Sequence, residues 1–178
     1  MKTRKFVLLA IIAAVYTGVS LLLAPFSFGN IQVRVAEALT LLPVLMFESV
    51  WALALGCFLT NLLGVMSGVN TLGIMDVVLG SLTTLLAGIM SAKLGKYHFK
   101  GYPVLACLPP IFLNALIIGW ELAYVLSPSG TFSWQLYGLM FIEIMCGQAL
   151  AIFGLGLPLI KRMAGSKLFL NDTENEHQ

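Results

Sequence analysis

The sequence contains few charged residues, and this is the first constraint on its class. Only 10% of its 178 residues are charged, whereas 59% are hydrophobic. An ordinary soluble domain carries charge on about a quarter of its residues. This chain therefore has too few charges to cover a surface that faces water. Its composition predicts an integral membrane protein whose outer surface faces lipid.

Residue types that bind metals or perform catalysis are also scarce. The sequence has two histidines, and both lie outside its apolar segments: His98 and His177. Its three cysteines occur singly, without CxxC spacing, and are predicted to be small buried side chains: Cys57, Cys107 and Cys146. No GxSxG, HExxH or GxxxxGKS/T motif is present. We therefore expect no enzyme, no metal or cofactor site, no ATP hydrolysis and no nucleic-acid partner.

Long apolar segments define the predicted fold. Six of them are long enough to cross a hydrocarbon core of about 30 Å, and they cover residues 6–24, 31–47, 49–66, 73–92, 103–126 and 135–160. The first follows a basic start, as a signal peptide does, but its length and the lack of an A-x-A site favour a retained helix. We predict an all-α bundle of six transmembrane helices in residues 1–165 and a polar cytoplasmic tail in residues 166–178.

Basic residues predict the orientation of these helices, because cytoplasmic loops are enriched in Lys and Arg. With six crossings, nine basic residues fall on one side of the membrane: Lys2, Arg4, Lys5, Lys93, Lys96, Lys100, Lys161, Arg162 and Lys167. The other side has only Arg34. Both termini are therefore expected in the cytoplasm, and an odd number of crossings would divide the basic clusters.

Polar residues of the predicted helices fall at similar depths. At 1.5 Å per residue, four of them lie about 9–12 Å beneath the outer boundary: Glu37, Asn61, Glu121 and Glu143. Asp76 is slightly nearer that boundary. A carboxylate that faces lipid costs several kcal/mol, so such residues normally face a bundle interior or a wet cavity. We interpret the set as the lining of one outward-open ligand pocket. The alternative is that each residue pairs with another and joins two helices.

Further residues are predicted to form the floor and wall of this pocket. Asn114 shares a helical face with Glu121, and both Asn114 and Gln148 are deep enough for the floor. Trp120 and Tyr124 are four residues apart and offer a surface on which a flat ring can stack. The alternative for these two aromatic residues is a belt at the membrane interface.

The segment around Arg34 is predicted to form the rim. Arg34 and Glu37 are three residues apart, hence neighbours on one helical face, and Gln32 precedes them. The alternative is an interfacial ion pair that orients the second helix. A pocket of this composition has many acceptors and few basic groups, so it suits a cation or a ligand with several N–H donors.

Small residues recur along one face of the first helix. Ala10, Ala14 and Gly18 are spaced four apart, which lets another helix approach closely in lipid. The stripe packs either within this chain or against a partner.

These features together resemble the substrate-binding (S) components of energy-coupling factor (ECF) transporters. The stretches "FGNIQVRVAEALTLLP" (28–43) and "GCFLTNLLG" (56–64) are similar to those of the QueT family, which is implicated in the uptake of queuosine precursors. The resemblance implies an S component that binds its substrate without hydrolysing ATP. It implies a transmembrane coupling subunit and two cytoplasmic ATPases as partners, with Ala10 and Ala14 docking on the coupling subunit.

The family also implies a ligand class, the 7-deazaguanine bases. Their guanine-like edge carries N–H donors, and one carboxylate accepts two of them. An aminomethyl group on the base would add a cation for a second carboxylate. The sequence allows two other functions: an S component for another vitamin-like ligand, and a structural membrane subunit.

Overall fold

The computed structural model describes residues 2–28, 33–127 and 131–165, and these residues form a helical bundle without β-strands. Seven α-helices are present in the described residues: α1 Lys2–Leu22, α2 Ala24–Ser27, α3 Ser49–Met66, α4 Ile74–Leu94, α5 Leu108–Leu126, α6 Trp134–Ala151 and α7 Leu157–Ala164. Two 3-10 helices, η1 Val35–Val44 and η2 Val104–Cys107, and a π-helix, Ile152–Gly156, complete them. The all-α prediction is confirmed. The predicted tail, 166–178, lies outside the described residues.

Five helical stretches are long and apolar enough to cross a membrane: Thr3–Leu22, Ser49–Met66, Ile74–Leu94, Val104–Leu126 and Trp134–Ala164. Large hydrophobic side chains cover their outer faces, and Phe6, Trp51 and Leu150 are each more than 60% exposed. Such a surface suits lipid better than water. The described helices are thus those of a multi-pass membrane protein.

Neighbours in the chain order α1, α3, α4, α5, α6 pack against each other. The α1–α3 contact is close because Gly56 has no side chain: a Cβ there would lie 2.9 Å from the Cβ of Tyr16. Thr17 Oγ1 donates a hydrogen bond of 3.1 Å to the Gly56 carbonyl across the same contact. Small residues and interhelical hydrogen bonds are the usual means of joining helices in lipid.

The second predicted helix differs from the sequence-based expectation. Residues 31–47 were expected to form an α-helix of membrane-spanning length, but the structure has the 3-10 helix η1 over Val35–Val44. The physical reason is its surroundings: η1 contacts α1, α3, α4, α6, α7 and the π-helix. Backbone that departs from the α-helix is tolerated at membrane depth where protein surrounds it.

The cysteines also required a correction. Cys57 and Cys107 are buried as expected, but Cys146 is exposed. Cys146 lies on an outward face of α6, where its small apolar side chain is as compatible with lipid as with a protein core.

Candidate functional site

A buried polar network joins η1, α3 and α4 at one end of the bundle. Asp76, in the first turn of α4, receives Arg34 Nη2 at 3.1 Å and Asn70 Nδ2 at 2.8 Å on its Oδ2 atom. Asn61 Nδ2 donates to the Asp76 backbone carbonyl at 2.8 Å. The ion pair is almost fully removed from solvent, since the side chains of Arg34 and Asp76 are 7% and 0% exposed. Pairing and hydrogen bonding are what make two buried charges tolerable.

Two glycines make room for this network. A Cβ at Gly80 would lie 2.7 Å from Asn61 Nδ2 and would collide with the Asp76 carboxylate. A Cβ at Gly64 would lie 3.1 Å from the Asn70 Cβ. The amide and carboxylate groups therefore approach the helix backbones directly.

Glu37 forms the second part of the site. It is fully buried in η1, and Tyr16 Oη donates to its Oε1 atom at 2.5 Å. The carboxyl group also interacts with Asn114 of α5 and with Arg34. Glu37 thus connects α1, η1 and α5 at the centre of the bundle.

Glu121 of α5 is the third part. Its side chain is 0% exposed, and neither carboxylate oxygen has a hydrogen-bond partner among the described residues. It interacts electrostatically with Asp76 and Arg34. A buried carboxylate without hydrogen bonds is costly, so this arrangement requires an explanation beyond packing.

Most of the buried polar atoms without a hydrogen-bond partner in the described part of the site are acceptors. Within the described residues, acceptor atoms that are buried and lack a hydrogen-bond partner occur at Glu37 Oε2, Asn61 Oδ1, Asp76 Oδ1, Asn114 Oδ1, Gln148 Oε1 and both Glu121 oxygens. Arg34 Nε is the corresponding donor. Buried polar atoms in native proteins normally have partners. The cluster can therefore accept several hydrogen bonds from a ligand that is rich in N–H groups.

Not all of the predicted site residues share this environment. Trp120 and Tyr124 stack on each other, with ring centroids 5.7 Å apart, and are 41% and 59% exposed. Glu121, between them in sequence, faces the opposite way into the bundle. Phe132 extends the aromatic surface beside Trp120, with Trp134 packed against Phe132 in turn. This placement favours the interfacial belt for the two aromatic residues.

Glu143 and Gln148 come from α6. Gln148 is buried, whereas Glu143 is half-buried. A Cβ at Gly119 of α5 would lie 3.2 Å from the Phe141 nitrogen, so these two positions lie level in the antiparallel pair. Counting from them, Glu143 is about 6 Å deeper than Glu121 along the helix axis. The depths of Glu121 and Glu143 in the bundle therefore differ more than the sequence predicted.

The alternative interpretation of Arg34 and Glu37, an ion pair between the two, differs from the ion pair that the structure has. Arg34 precedes η1 instead of lying on an α-helical face with Glu37, and its ion pair is with Asp76. Glu37 has Tyr16 as its hydrogen-bond partner instead. Gln32, expected at the rim, lies outside the described residues.

Sequence reasoning missed Tyr16 and Asn70. Tyr16 is 1% exposed within an apolar segment, and a buried tyrosine hydroxyl normally requires a partner, which was the available signal. Asn70 lies in "SGVNTLG", which indicated only a turn. In the structure it also stabilises that turn, because its Oδ1 accepts from Leu72 N at 3.0 Å.

The small-residue stripe of α1 lies on the face opposite Tyr16. Ala10, Ala14 and Gly18 are exposed, and a Cβ at Gly18 would have no atom within 4 Å. Within the described residues the stripe therefore makes no close helix contact of its own.

Residues 6–164 match the family described as QueT transporter. Because the match covers most of the chain, the protein belongs to the QueT transporter family. The multi-pass helical structure agrees with membership in a family of membrane transporters. Comparisons with curated proteins and with solved structures gave no match.

Proposed function

We propose that this family member is the substrate-binding component of an ECF-type transporter and captures a 7-deazaguanine base for ATP-driven uptake. The observation that carries the proposal is the buried cluster of unsatisfied acceptors around Asp76, Glu37 and Glu121. A guanine-like edge presents adjacent N–H donors, and a carboxylate accepts two of them side by side. The same donors would satisfy atoms whose burial is otherwise unfavourable.

We further propose distinct roles for the residues of the site. Glu121 accepts from the guanine-like edge, because both of its oxygens lack hydrogen-bond partners among the described residues. Asn61 and Asn114 offer further acceptors, while Glu143 and Gln148 approach from α6. Arg34 and Asp76 close the outer end of the site through their ion pair.

The proposed topology is six crossings of an S-component-like bundle, with both termini in the cytoplasm. Two contacts support this count. Arg34 precedes η1 and pairs with Asp76 at the start of α4, whereas Glu48 follows η1 and pairs with Lys5 at 2.6 Å near the start of α1. The intervening segment therefore passes from one end of the bundle to the other. Ten 3-10 residues rise about 20 Å, which is more than the same number in an α-helix.

Basic residues at one end of the bundle support the orientation. Val44 packs against Gly95, the residue that follows α4, and Lys161 donates to Tyr102 Oη at 2.9 Å. The basic start of α1, the loop after α4 and the end of α7 thus lie at the same end as Glu48. Positive charge marks the cytoplasmic side.

The proposed partners are a transmembrane coupling subunit and two cytoplasmic ATPases. The exposed stripe of Ala10, Ala14 and Gly18 supports a docking face on α1, because small residues permit close helix approach. The chain contains no GxxxxGKS/T motif, so the energy for transport would come from the partner ATPases.

Native mass spectrometry of the purified protein tests the ligand class. We expect a copurifying mass of a 7-deazaguanine base, or its uptake when such a base is added. Adenine is the matched control, because its edge presents a different order of donors and acceptors. Retention of another vitamin-like compound would favour an S component of different specificity. Absence of any small-molecule ligand under both conditions would favour a structural subunit.

A further inference from the structure

A groove unrelated to the polar cluster lies at the basic end of the bundle. It has a volume of about 340 Å³ and is lined by Phe99, Lys100, Tyr102, Val104, Phe153, Leu157 and Pro158. Its walls come from the loop after α4, from η2 and from the junction of the π-helix with α7. π-Helical turns within α-helices are frequent at functional sites.

The loop side of the groove is a tight hairpin that fixes the position of a lysine. Phe99 and Tyr102 exchange backbone hydrogen bonds of 2.8 and 3.1 Å. The two residues between them have positive φ angles, 51° at Lys100 and 80° at Gly101. Lys100 is the one described residue other than glycine with a positive φ, a conformation that is costly for a long side chain.

A second lysine, Lys161, contacts Tyr102, one of the residues that line the groove. Lys161 Nζ lies 4.4 Å from the centre of the Tyr102 ring and donates to its hydroxyl at 2.9 Å. Only one of the three ammonium N–H donors is used in that hydrogen bond. The side chain is exposed, so its remaining donors can reach a bound group.

We propose that this groove binds an anionic phospholipid. Lys100 and Lys161 would contact the headgroup phosphate, and Phe153, Leu157 and Pro158 would contact an acyl chain. Charge complementarity supports this occupant: no acidic residue among the described ones lines the groove, and the loop after α4 and the end of α7 carry Lys96, Lys100, Lys161 and Arg162. Basic pockets between helices at the cytoplasmic side bind such headgroups. The inference does not depend on the ligand proposed for the polar cluster.

Competition between two lipids tests the proposal. Purified protein is mixed with equimolar dioleoylphosphatidylglycerol and dioleoylphosphatidylcholine, and retained lipids are measured by native mass spectrometry. We expect at least a tenfold preference for phosphatidylglycerol. The double variant Lys100→Gln, Lys161→Gln should lose at least tenfold in that preference and retain the two lipids about equally, because each lysine contributes about fivefold. The matched control, Lys93→Gln with Lys96→Gln, removes equal charge at the same end but outside the groove, and should retain the preference.

Three results would overturn the proposal. The first is equal retention of both lipids by the wild type. The second is an equal loss in the double variant and the matched control, which would show a diffuse charge effect instead of a site. The third is displacement of the lipid by millimolar glycerol 3-phosphate, which would show that the groove takes free phosphate and has no requirement for acyl chains.

Discussion

At the residue scale, the polar cluster separates groups that stabilise the fold from groups that remain unsatisfied. Asp76 has three partners and Glu37 has a short hydrogen bond from Tyr16. In contrast, both Glu121 oxygens lack hydrogen bonds within the part of the chain that the structure describes. These environments predict opposite effects of neutralising a carboxylate on stability.

Asp76→Asn is expected to lower stability by about 3–5 kcal/mol, because it leaves Arg34 buried without its counter-charge. Thermal unfolding in detergent measures the change. Arg34→Gln in the same background should recover part of the loss, since the uncompensated charge is then also removed. A variant Asp76→Asn that melts with the wild type would contradict the assigned importance of the ion pair.

Glu121→Gln is expected to raise the free energy of unfolding of the ligand-free protein by about 1 kcal/mol, and hence its melting temperature by a few degrees. The reason is that an amide is less costly to bury than a carboxylate without partners. The same thermal measurement applies, with Asp76→Asn as the contrasting variant. A fall in stability comparable to that of Asp76→Asn would mean that Glu121 has a structural partner.

At the element scale, the two faces of α1 differ in their contacts with the rest of the bundle. Its inner face carries Tyr16 and Thr17, which bond to η1 and α3, while its outer face carries the small-residue stripe. A substitution in contact with the inner face, Gly56→Ala of α3, can therefore be compared with one on the outer face, Ala14→Leu.

Ala14→Leu should leave ligand binding by the isolated protein unchanged and abolish uptake by the assembled transporter. A bulky side chain on the exposed face would hold the coupling helices apart. Gly56→Ala, which introduces a Cβ 2.9 Å from the Tyr16 Cβ, should instead reduce stability. Binding assays, melting curves and cellular uptake distinguish the two. Loss of binding in Ala14→Leu would show that the stripe packs within the chain.

At the scale of the whole molecule, hydropathy predicted the five long helices of the bundle, but it did not predict that η1 would be a 3-10 helix. Apolar length identified five spans because lipid-facing helices must be long and apolar. The residues of η1 satisfy the same pattern, yet most of their side chains are buried in protein, and the 3-10 form depends on those tertiary contacts. Sequence periodicity carries no signal for that difference.

The candidate site was also predictable only in part from the sequence. Charged residues in apolar segments were recognisable from their cost in lipid, and the structure buries Arg34, Glu37, Asp76 and Glu121. Their partners were not predictable, because Arg34 and Asp76 are 42 residues apart and Tyr16 and Glu37 are 21 apart. Tertiary packing determines which of these residues become partners, and the local sequence does not show it.

The proposed topology predicts one-sided labelling. Single cysteines placed at His98 or at Lys5, in a variant without the three native cysteines, should react with an impermeant maleimide only after the membrane is opened. A cysteine at Val69, which is exposed in the turn between α3 and α4, should react in intact cells. Labelling of position 98 from outside would contradict the six crossings with cytoplasmic termini.

Titration calorimetry of the wild type and Glu121→Gln with a 7-deazaguanine base tests the central claim most directly. Glu→Gln keeps the shape but replaces one acceptor oxygen by a donor, so a carboxylate contact to two N–H groups becomes a clash of donors. We predict a loss of about ten- to a hundredfold in affinity, equivalent to roughly 1.5–3 kcal/mol, in a variant that remains folded. Glu48→Gln, a carboxylate change at the opposite end of the bundle, should bind as the wild type does. Wild-type affinity in Glu121→Gln would contradict the proposal that the buried acceptor cluster recognises the base.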